Sequence, residues 1–324
     1  MLIIKKTDII KYVNLNKKLI PIIEEAFISL SKGKAKMPPI MRIDIEKYHG
    51  ESDVKAAYID GLDSFAIKIA SGFFNNPKLG LPSSNGLMVL LDSETGEVKS
   101  VLLDEGYLTD LRTAIAGAIA TKYLSNDSAS SVGIIGVGVQ AKLQLEAIML
   151  VRKIKKVSVW ARDSVKANNF IDNFNNSKIE MSVSNSCKEL ASFSEIIVTT
   201  TPSKSPLLQF DWIKKGTHIT AMGSDAEQKN ELESKMLKLC NKYIPDSQSQ
   251  TSILGELNHA IKKNIISSNT RFNDLGNIIL NPKLGRNKKE DITICDLTGT
   301  GVQDTAIARY AYNQCKKNNL GLII

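Results

Sequence analysis

Three groups of residues in this 324-residue chain have the type and spacing to do chemistry. The first is Gly136-x-Gly138-x-x-Ala141, set between an apolar run and an amphipathic one. In a strand-turn-helix context, Gly136 would allow the tight turn, Gly138 would let the backbone approach a pyrophosphate, and small Ala141 would permit close helix–strand packing. The helix start would add unpaired N–H groups and partial positive charge. The bland alternative is a glycine-rich turn with no ligand. The second is Lys68, which interrupts the apolar stretch Phe65 to Ala70. A lysine there either points to solvent from a half-exposed strand or finds an anion. The third is Asp225, just after the apolar strand Ile219 to Met222, at the carboxyl end where α/β sheets place ligands. It can exchange a proton with an amine, or it can cap a helix that follows.

The elements that must position these groups can be read from periodicity. Leu19, Ile22, Ile23, Ala26, Phe27 and Leu30 recur at helical spacing, so residues 16–32 are expected to form an amphipathic helix ended by Gly33. Strand-like stretches follow at Met41 to Ile45, Ala56 to Ile59, Phe65 to Ala70, Gly86 to Leu91 and Val98 to Leu103. Turn residues separate them, so the first third reads as a helix plus a mostly antiparallel sheet. Residues 110–124 form a small-residue helix, and the polar run Ser125 to Ser131 then breaks the pattern. Beyond it strands and helices alternate: Ser131 to Ile135, Gln140 to Leu150, Lys156 to Trp160, Ser164 to Phe174, Ile196 to Thr200 and Thr217 to Met222. A late strand, Ile292 to Cys295, precedes a Gly-rich turn and a final helix over about 302–314. The fold expected is α/β: a Rossmann-type, doubly wound parallel sheet plus a smaller α/β substrate and dimerisation domain. Residues 125–302 would form the first, and 1–124 with a returning 303–324 the second.

Composition narrows the function. The chain is 43% apolar and 23% charged, as in ordinary globular proteins. Its net charge of +8 is spread along the chain without an aromatic-basic motif, so no nucleic-acid partner is expected. A basic cleft that attracts carboxylates and phosphates accounts for part of the excess. No apolar run reaches the roughly 18 to 20 residues of a membrane span, and MLIIKKTDII has no small-residue cleavage site, so a cytoplasmic location without membrane attachment is expected. Cys187, Cys240, Cys295 and Cys315 show no CxxC or metal-ligand spacing and read as free thiols; no metal is expected. His49, His218 and His259 lack a Ser or Cys partner pattern and read as structural or surface residues.

The chain resembles the ornithine cyclodeaminase/μ-crystallin family over nearly its whole length. The residues that carry the resemblance are Met37-Pro38-Pro39 with Arg42, Lys68 in FAIKIASGF, Asp110-Leu111-Arg112-Thr113-Ala114, the GVGVQA turn, AMGSDAEQKNEL around Asp225, and DLTGTGVQDTAIA from Asp296. Within the family it is most similar to ectoine-utilization cyclodeaminase-like proteins and iminosuccinate reductases. The resemblance implies a homodimer and hydride transfer between the Cα of a small amino or imino acid and a nicotinamide, NAD(P)(H). It implies a substrate carboxylate held by Arg42, Lys68 and Arg112, with Asp225 and Lys68 catalytic. Fork-shaped arginine donors and a lysine point charge suit a carboxylate. It further implies a cofactor lined by Gly136, Gly138, Val139, Gln140, Ala141, Thr220, Met222, Lys229, Leu297 and Thr298. Thr201, ending the strand from Ile196, would line the same cleft, and Ser83 or Ser84 could add a contact.

Two departures from the family pattern bear on the reaction. The cyclodeaminase proper carries an acidic, NAD-selecting residue where Ala161 falls here. It also has a bulkier DSVG-type segment in place of Asp296-Leu297-Thr298-Gly299. With Ala161 in the acidic position, Arg162 could grip a 2′-phosphate, which favours NADP(H); with Asp163 in that role, NAD is favoured. Glu51, Asp53 and Asp60 are the candidates by position for a distal substrate amine. Imine reduction or amino acid dehydrogenation is therefore preferred to lactam-forming cyclodeamination. The alternative is a non-catalytic NADPH and small-ligand binding protein of the μ-crystallin kind.

Overall fold

The structure, a computed structural model, describes residues 1–174, 176 and 178–324. In chain order the elements begin β1 Leu2–Lys5, α1 Lys6–Tyr12, α2 Leu19–Ser31, β2 Ala35–Lys36, β3 Met41–Ile45, β4 Gly50–Ile59, β5 Ser64–Phe73, β6 Ser84–Asp92, β7 Val98–Leu103 and α3 Tyr107–Leu124. They continue with β8 Ser131–Ile135, α4 Val139–Met149, β9 Lys156–Trp160, α5 Ser164–Asp172, β10 Glu180–Val183, α6 Cys187–Phe193, β11 Ile196–Thr199 and β12 His218–Ala221. The rest are α7 Met236–Leu239, β13 Lys242–Pro245, α8 Gln248–Thr251, α9 Glu256–Lys262, α10 Leu275–Leu280, β14 Thr293–Asp296, α11 Gly301–Lys317 and β15 Leu322–Ile323. No helix of the described residues is long and apolar enough to cross a membrane.

The chain divides into two compact units, Met1–Arg112 with Thr300–Ile324, and Thr113–Gly299. The first division falls inside α3 and not at the polar run after it. A helix continues through the change of unit because its backbone bonds are local and indifferent to which core each turn joins.

In the first unit the strand order is β15-β1-β7-β6-β5-β4-β2, with β3 also paired to β4. The sheet is mixed: β1 runs parallel to β7, while β3 to β7 pair antiparallel. The expectation of a mostly antiparallel sheet missed β1, whose four residues are too few to show a period. Helix α11 packs on β4 and β5. Its buried positions Asp304, Ala308, Ala311 and Cys315 form one helical stripe. Gly301 is required at its start, because a Cβ would run into the Ala56 carbonyl. Thr305 fixes the seat, donating from Oγ1 to Ala57 O at 2.7 Å and accepting from Ala66 N at 3.0 Å.

In the second unit all seven strands run parallel, in the order β10-β9-β8-β11-β12-β14-β13. The chain builds outward one way from β8 to β10, then returns to add β11 and β12 on the other side. That is the doubly wound Rossmann order, whose ligand crevice lies outside the carboxyl ends of the strands at the β8/β11 reversal. Ile135, Leu190, Ile197, Ile219, Met236 and Ile294 form its core. Thr305→Val should lower the unfolding free energy by about 1–3 kcal/mol, because a buried donor and acceptor lose their partner. Urea denaturation followed by circular dichroism checks this; a change below about 0.5 kcal/mol would leave α11 seated by apolar contact alone.

Candidate active site

The first unit buries a knot of charge. Lys68 on β5 is 2% exposed and Arg112 on α3 is 5% exposed, so both lie inside and Lys68 does not point to solvent from a half-exposed strand. Between them sits Asp304 of α11, fully buried, with Lys68 Nζ 3.0 Å from Oδ2 and Arg112 Nε 2.9 Å from Oδ1. Lys55, also buried, is the cross-strand partner of Lys68 on β4. Like charges directly opposite each other work against the pairing of the two strands.

The surroundings tune these groups. Burial pushes Lys68 down to about 7, helped by the charges of Arg112 and Lys55 and opposed by Asp304. For Asp304, burial favours the neutral form, but Arg112, Lys68 and Lys55 outweigh it and hold the carboxyl below its ordinary range. Asp104, which caps α3 by accepting from Leu108 N at 2.8 Å, is pushed up to about 6 by burial, against its backbone hydrogen bonds.

Arg42 belongs to a different set of contacts. Its guanidinium donates to Asp44 at 2.9 Å, to Glu51 at 2.6 Å and to Asp53 at 3.4 Å. Burial pulls against its charge, yet the bonds to Asp44 and Glu51 hold it above its ordinary value. Register puts Arg42 opposite Asp53, Asp53 opposite Ala70 and Lys55 opposite Lys68, so all share one face of the sheet. Glu51 and Asp53 thus lie on the Lys68 face. Asp60, beyond the end of β4, is exposed. Ser84 pairs with Gly72 at an exposed strand end, and His49 sits in a left-handed turn.

In the second unit the glycine turn has the local geometry its sequence demands. Gly136 adopts φ +111°, and a Cβ there would stand 2.5 Å from Thr200 Oγ1. Gly138 is the N-cap of α4, contributes no side chain to the helix start, and has open space where a Cβ would be. Val139 is exposed, while Ala141 is buried where α4 meets the sheet. This is the arrangement that lets helix N–H groups reach a phosphate. At the end of β9, Asp163 is turned inward to α5, accepting from Val165 N at 3.0 Å and Lys166 N at 3.2 Å, while Arg162 is exposed.

Asp225 follows β12 and forms an ion pair with Lys229 at 2.7 Å; its side chain is 41% exposed and that of Lys229 only 8%. Residues 226–229 form a turn and no helix starts there, so Asp225 is not a helix cap. His259 supports this turn, its Nε2 lying 2.8 Å from Lys229 O. Thr201 donates through N and Oγ1 to Glu231 at 2.6 and 2.7 Å. The same carboxylate accepts from Thr199 Oγ1 at 2.6 Å and Gly223 N at 2.8 Å, tying the loops after β11 and β12 together. Thr220 is fully buried with its hydroxyl 3.0 Å from His218, so its side chain serves the core; burial pushes that histidine down to about 3. Met222 and Leu297 are buried. Thr298 donates to Asp246 from N at 2.8 Å and Oγ1 at 2.9 Å.

Sequence reasoning missed Asp304, Lys55, Glu231 and Asp246. Asp304 did carry a signal, since it falls in register with Ala308, Ala311 and Cys315 on an apolar helical stripe. Glu231 and Asp246 lie in irregular chain, where no period marks a buried carboxylate.

Residues 2–319 match the ornithine cyclodeaminase/mu-crystallin family. The chain belongs to that family. An uncharacterized cyclodeaminase of Sinorhizobium fredii is 48% identical, over 99% of this chain and 98% of its own. Among solved family structures, the Δ1-pyrroline-2-carboxylate reductase of Thermococcus litoralis, in complex with NADH and L-proline, superposes with a TM-score of 0.93 at 30% identity, covering all of both chains. An archaeal alanine dehydrogenase, a dimer with bound NAD, gives 0.91 at 34% identity, over 100% of this chain and 98% of that one.

Lys68 carries its own pH signature. A free lysine amine titrates at 10.5 and this one at about 7 in the fold, so between these values the unfolded chain binds the extra proton. Stability should therefore rise with pH across that window and be lowest below it. Denaturant titrations should show the unfolding free energy climbing by up to about 1.4 kcal/mol per pH unit, and Lys68→Met should abolish that climb. An equal slope in the variant would mean that Lys68 is hydrated in the native state.

Proposed function

We propose that this chain is a nicotinamide-dependent enzyme that transfers hydride at the Cα of a small amino or imino acid, working as an imine reductase or amino acid dehydrogenase. The observation that carries this reading is the buried pair Lys68 and Arg112, ion-paired to Asp304, in a family whose solved members include complexes with NADH and L-proline or with NAD. Lys68 and Arg112, both buried and both within ion-pair reach of Asp304, are the residue types that bind a carboxylate, and an α-carboxylate is the anion common to all such substrates.

Arg112, its Nε 2.9 Å from Asp304, would present guanidinium nitrogens to the two carboxylate oxygens, and Lys68 would add a point charge. Arg42 is left out of this clamp, because three carboxylates of its own sheet already hold it. The cofactor, bound at the Gly136–Ala141 turn, would supply or accept a hydride. Open space at Gly138 and an α4 start without a side-chain cap fit a pyrophosphate. Gln140, Thr201, Met222, Lys229, Leu297 and Thr298 are assigned to the walls around it.

Reducing a neutral imine to the ammonium form of the amine consumes one hydride and two protons. A lysine at about 7 can give up a proton near neutrality, which suits Lys68 to act as the acid. Asp225, half-exposed beside Lys229, would exchange a proton with the substrate nitrogen. The cofactor is read as NAD(P)(H): Ala161 and exposed Arg162 leave a 2′-phosphate unopposed, since the Asp163 carboxylate is taken by α5. A homodimer is assigned to the sheet face opposite Lys68, where Met41, Ile43 and Ile69 are exposed, and the archaeal alanine dehydrogenase relative is itself a dimer.

An absorbance assay at the nicotinamide band tests this with cyclic imino acids and with 2-keto acids plus ammonia. Net NAD(P)H consumption is expected; a cyclic product without net change would mean cyclodeamination, and cofactor binding without turnover a binding protein. Asp225→Asn and Lys68→Ala should each cut turnover at least about a hundredfold while NAD(P)H fluorescence still reports binding. Gly138→Val should abolish that binding; undiminished binding would remove the glycine turn from the cofactor site.

A further inference from the structure

We infer that Asp304 is the positioning residue of the cationic cluster: its two oxygens lie within ion-pair reach of Lys68 and Arg112 at once, keeping the lysine charged enough to give a proton and holding the guanidinium charge beside it. This deepens the proposed function, and it rests on that reading for the identity of the substrate.

The geometry is a two-sided brace. Oδ2 lies 3.0 Å from Lys68 Nζ and Oδ1 lies 2.9 Å from Arg112 Nε. The two cations come from different elements, β5 and α3, and the carboxylate from a third, α11. Both contacts are ion pairs at close range, so one carboxylate balances two cations from separate elements. Asp304 is itself enclosed by the fold. It is fully buried, lies in the first turn of α11 where a negative charge is favoured, and adjoins Thr305, which is bonded to β4 and β5.

The charged groups that bear on Lys68 are Asp304 from α11, Arg112 from α3 and Lys55 from β4; Asp104, at the turn into α3, acts on Asp304. Among the largest influences on Lys68, Asp304 favours the protonated amine. Burial, Arg112 and Lys55 all favour the neutral one. Removing the carboxylate must therefore lower the lysine's affinity for its proton, and the chemistry that uses that proton must move to lower pH.

The test uses the full chain without cofactor or substrate, with lysines labelled with 13C at Cε. The Lys68 resonance is assigned as the one absent from Lys68→Met. In the wild type it should titrate near neutrality. In Asp304→Asn the midpoint should fall by at least about one pH unit, and in Asp304→Glu, which keeps the charge, it should return toward the wild type. Thermal unfolding verifies that the variants are folded. With substrate, Asp304→Asn should raise KM for the amino or imino acid at least about tenfold, move the alkaline limb of kcat/KM to lower pH, and leave the NADH dissociation constant within about twofold. An unshifted Lys68 midpoint in a folded Asp304→Asn chain would overturn the inference, as would an equal shift in Asp304→Glu. Should Asp304→Asn not fold, the wild-type titration decides: a midpoint below about 5 would mean that the carboxylate contributes no counter-charge. Failure of the functional reading looks different, because the wild type would then bind no dinucleotide while the Lys68 titration still reports on Asp304.

Discussion

A lysine ammonium buried in a sheet-helix interface is expensive unless an anion lies within ion-pair reach. Lys68 meets that condition through Asp304, which is more than two hundred residues away in sequence. The last helix must therefore come back to the first sheet, and the unit that holds the cluster is built from both ends of the chain. Gly301 lets the helix approach the Ala56 carbonyl, and Thr305 bonds two adjacent strands. Each local feature of α11 serves the same end, which is to deliver one carboxylate to a fixed point.

The second unit solves a related problem with the same kind of group. The loops at the carboxyl ends of parallel strands carry backbone N–H groups that no neighbouring strand can satisfy. Glu231 accepts from Thr201 N and Gly223 N, Asp246 from Thr298 N and Gly299 N, and Glu256 from Glu231 N and Leu232 N. Burial raises Glu231 and Glu256, and pushes Asp296 up to about 7. The hydrogen bonds work the other way and favour the ionised acceptors. The irregular chain around the β11, β12 and β14 ends is thus fixed by buried carboxylates and not by regular pairing, which gives loops the rigidity a binding surface needs.

Periodicity made much of this legible. Met41–Ile45, Val98–Leu103, Ser131–Ile135 and Lys156–Trp160 coincide with the stretches read from alternation and apolar runs. The Rossmann order followed from alternating elements and one glycine turn. Short or irregular pieces escaped: β1, β10, β13 and the helices α7 to α9 are too brief to establish a period. Lys68 stood out because it broke an apolar run. Asp304 left a fainter trace, one acid in register on the apolar stripe of its helix, and that helix reads as amphipathic with or without it. The partner of a buried charge is a tertiary fact, and a pattern within one element carries no information about what packs against it. Thr220 makes the converse point, since its position suited a ligand contact while its hydroxyl is spent on a buried imidazole.

So awkward an arrangement persists for a physical reason. A Lys68 replaced by a methionine would leave Asp304 with Arg112 and Lys55 and relieve the repulsion across β4 and β5, so the site stands at a stability disadvantage to a plainer core. Natural chains tolerate such violations of local rules where function requires them. A buried amine that titrates at about 7 is of little use to folding, and it would be of direct use to the proposed reaction, which consumes protons at neutral pH. Under the proposed function the lysine's misfit is what the chemistry would use, and Asp304 would set how far it goes: without a counter-charge the amine would stay neutral and have no proton to give, and with full hydration it would hold its proton too tightly to release it.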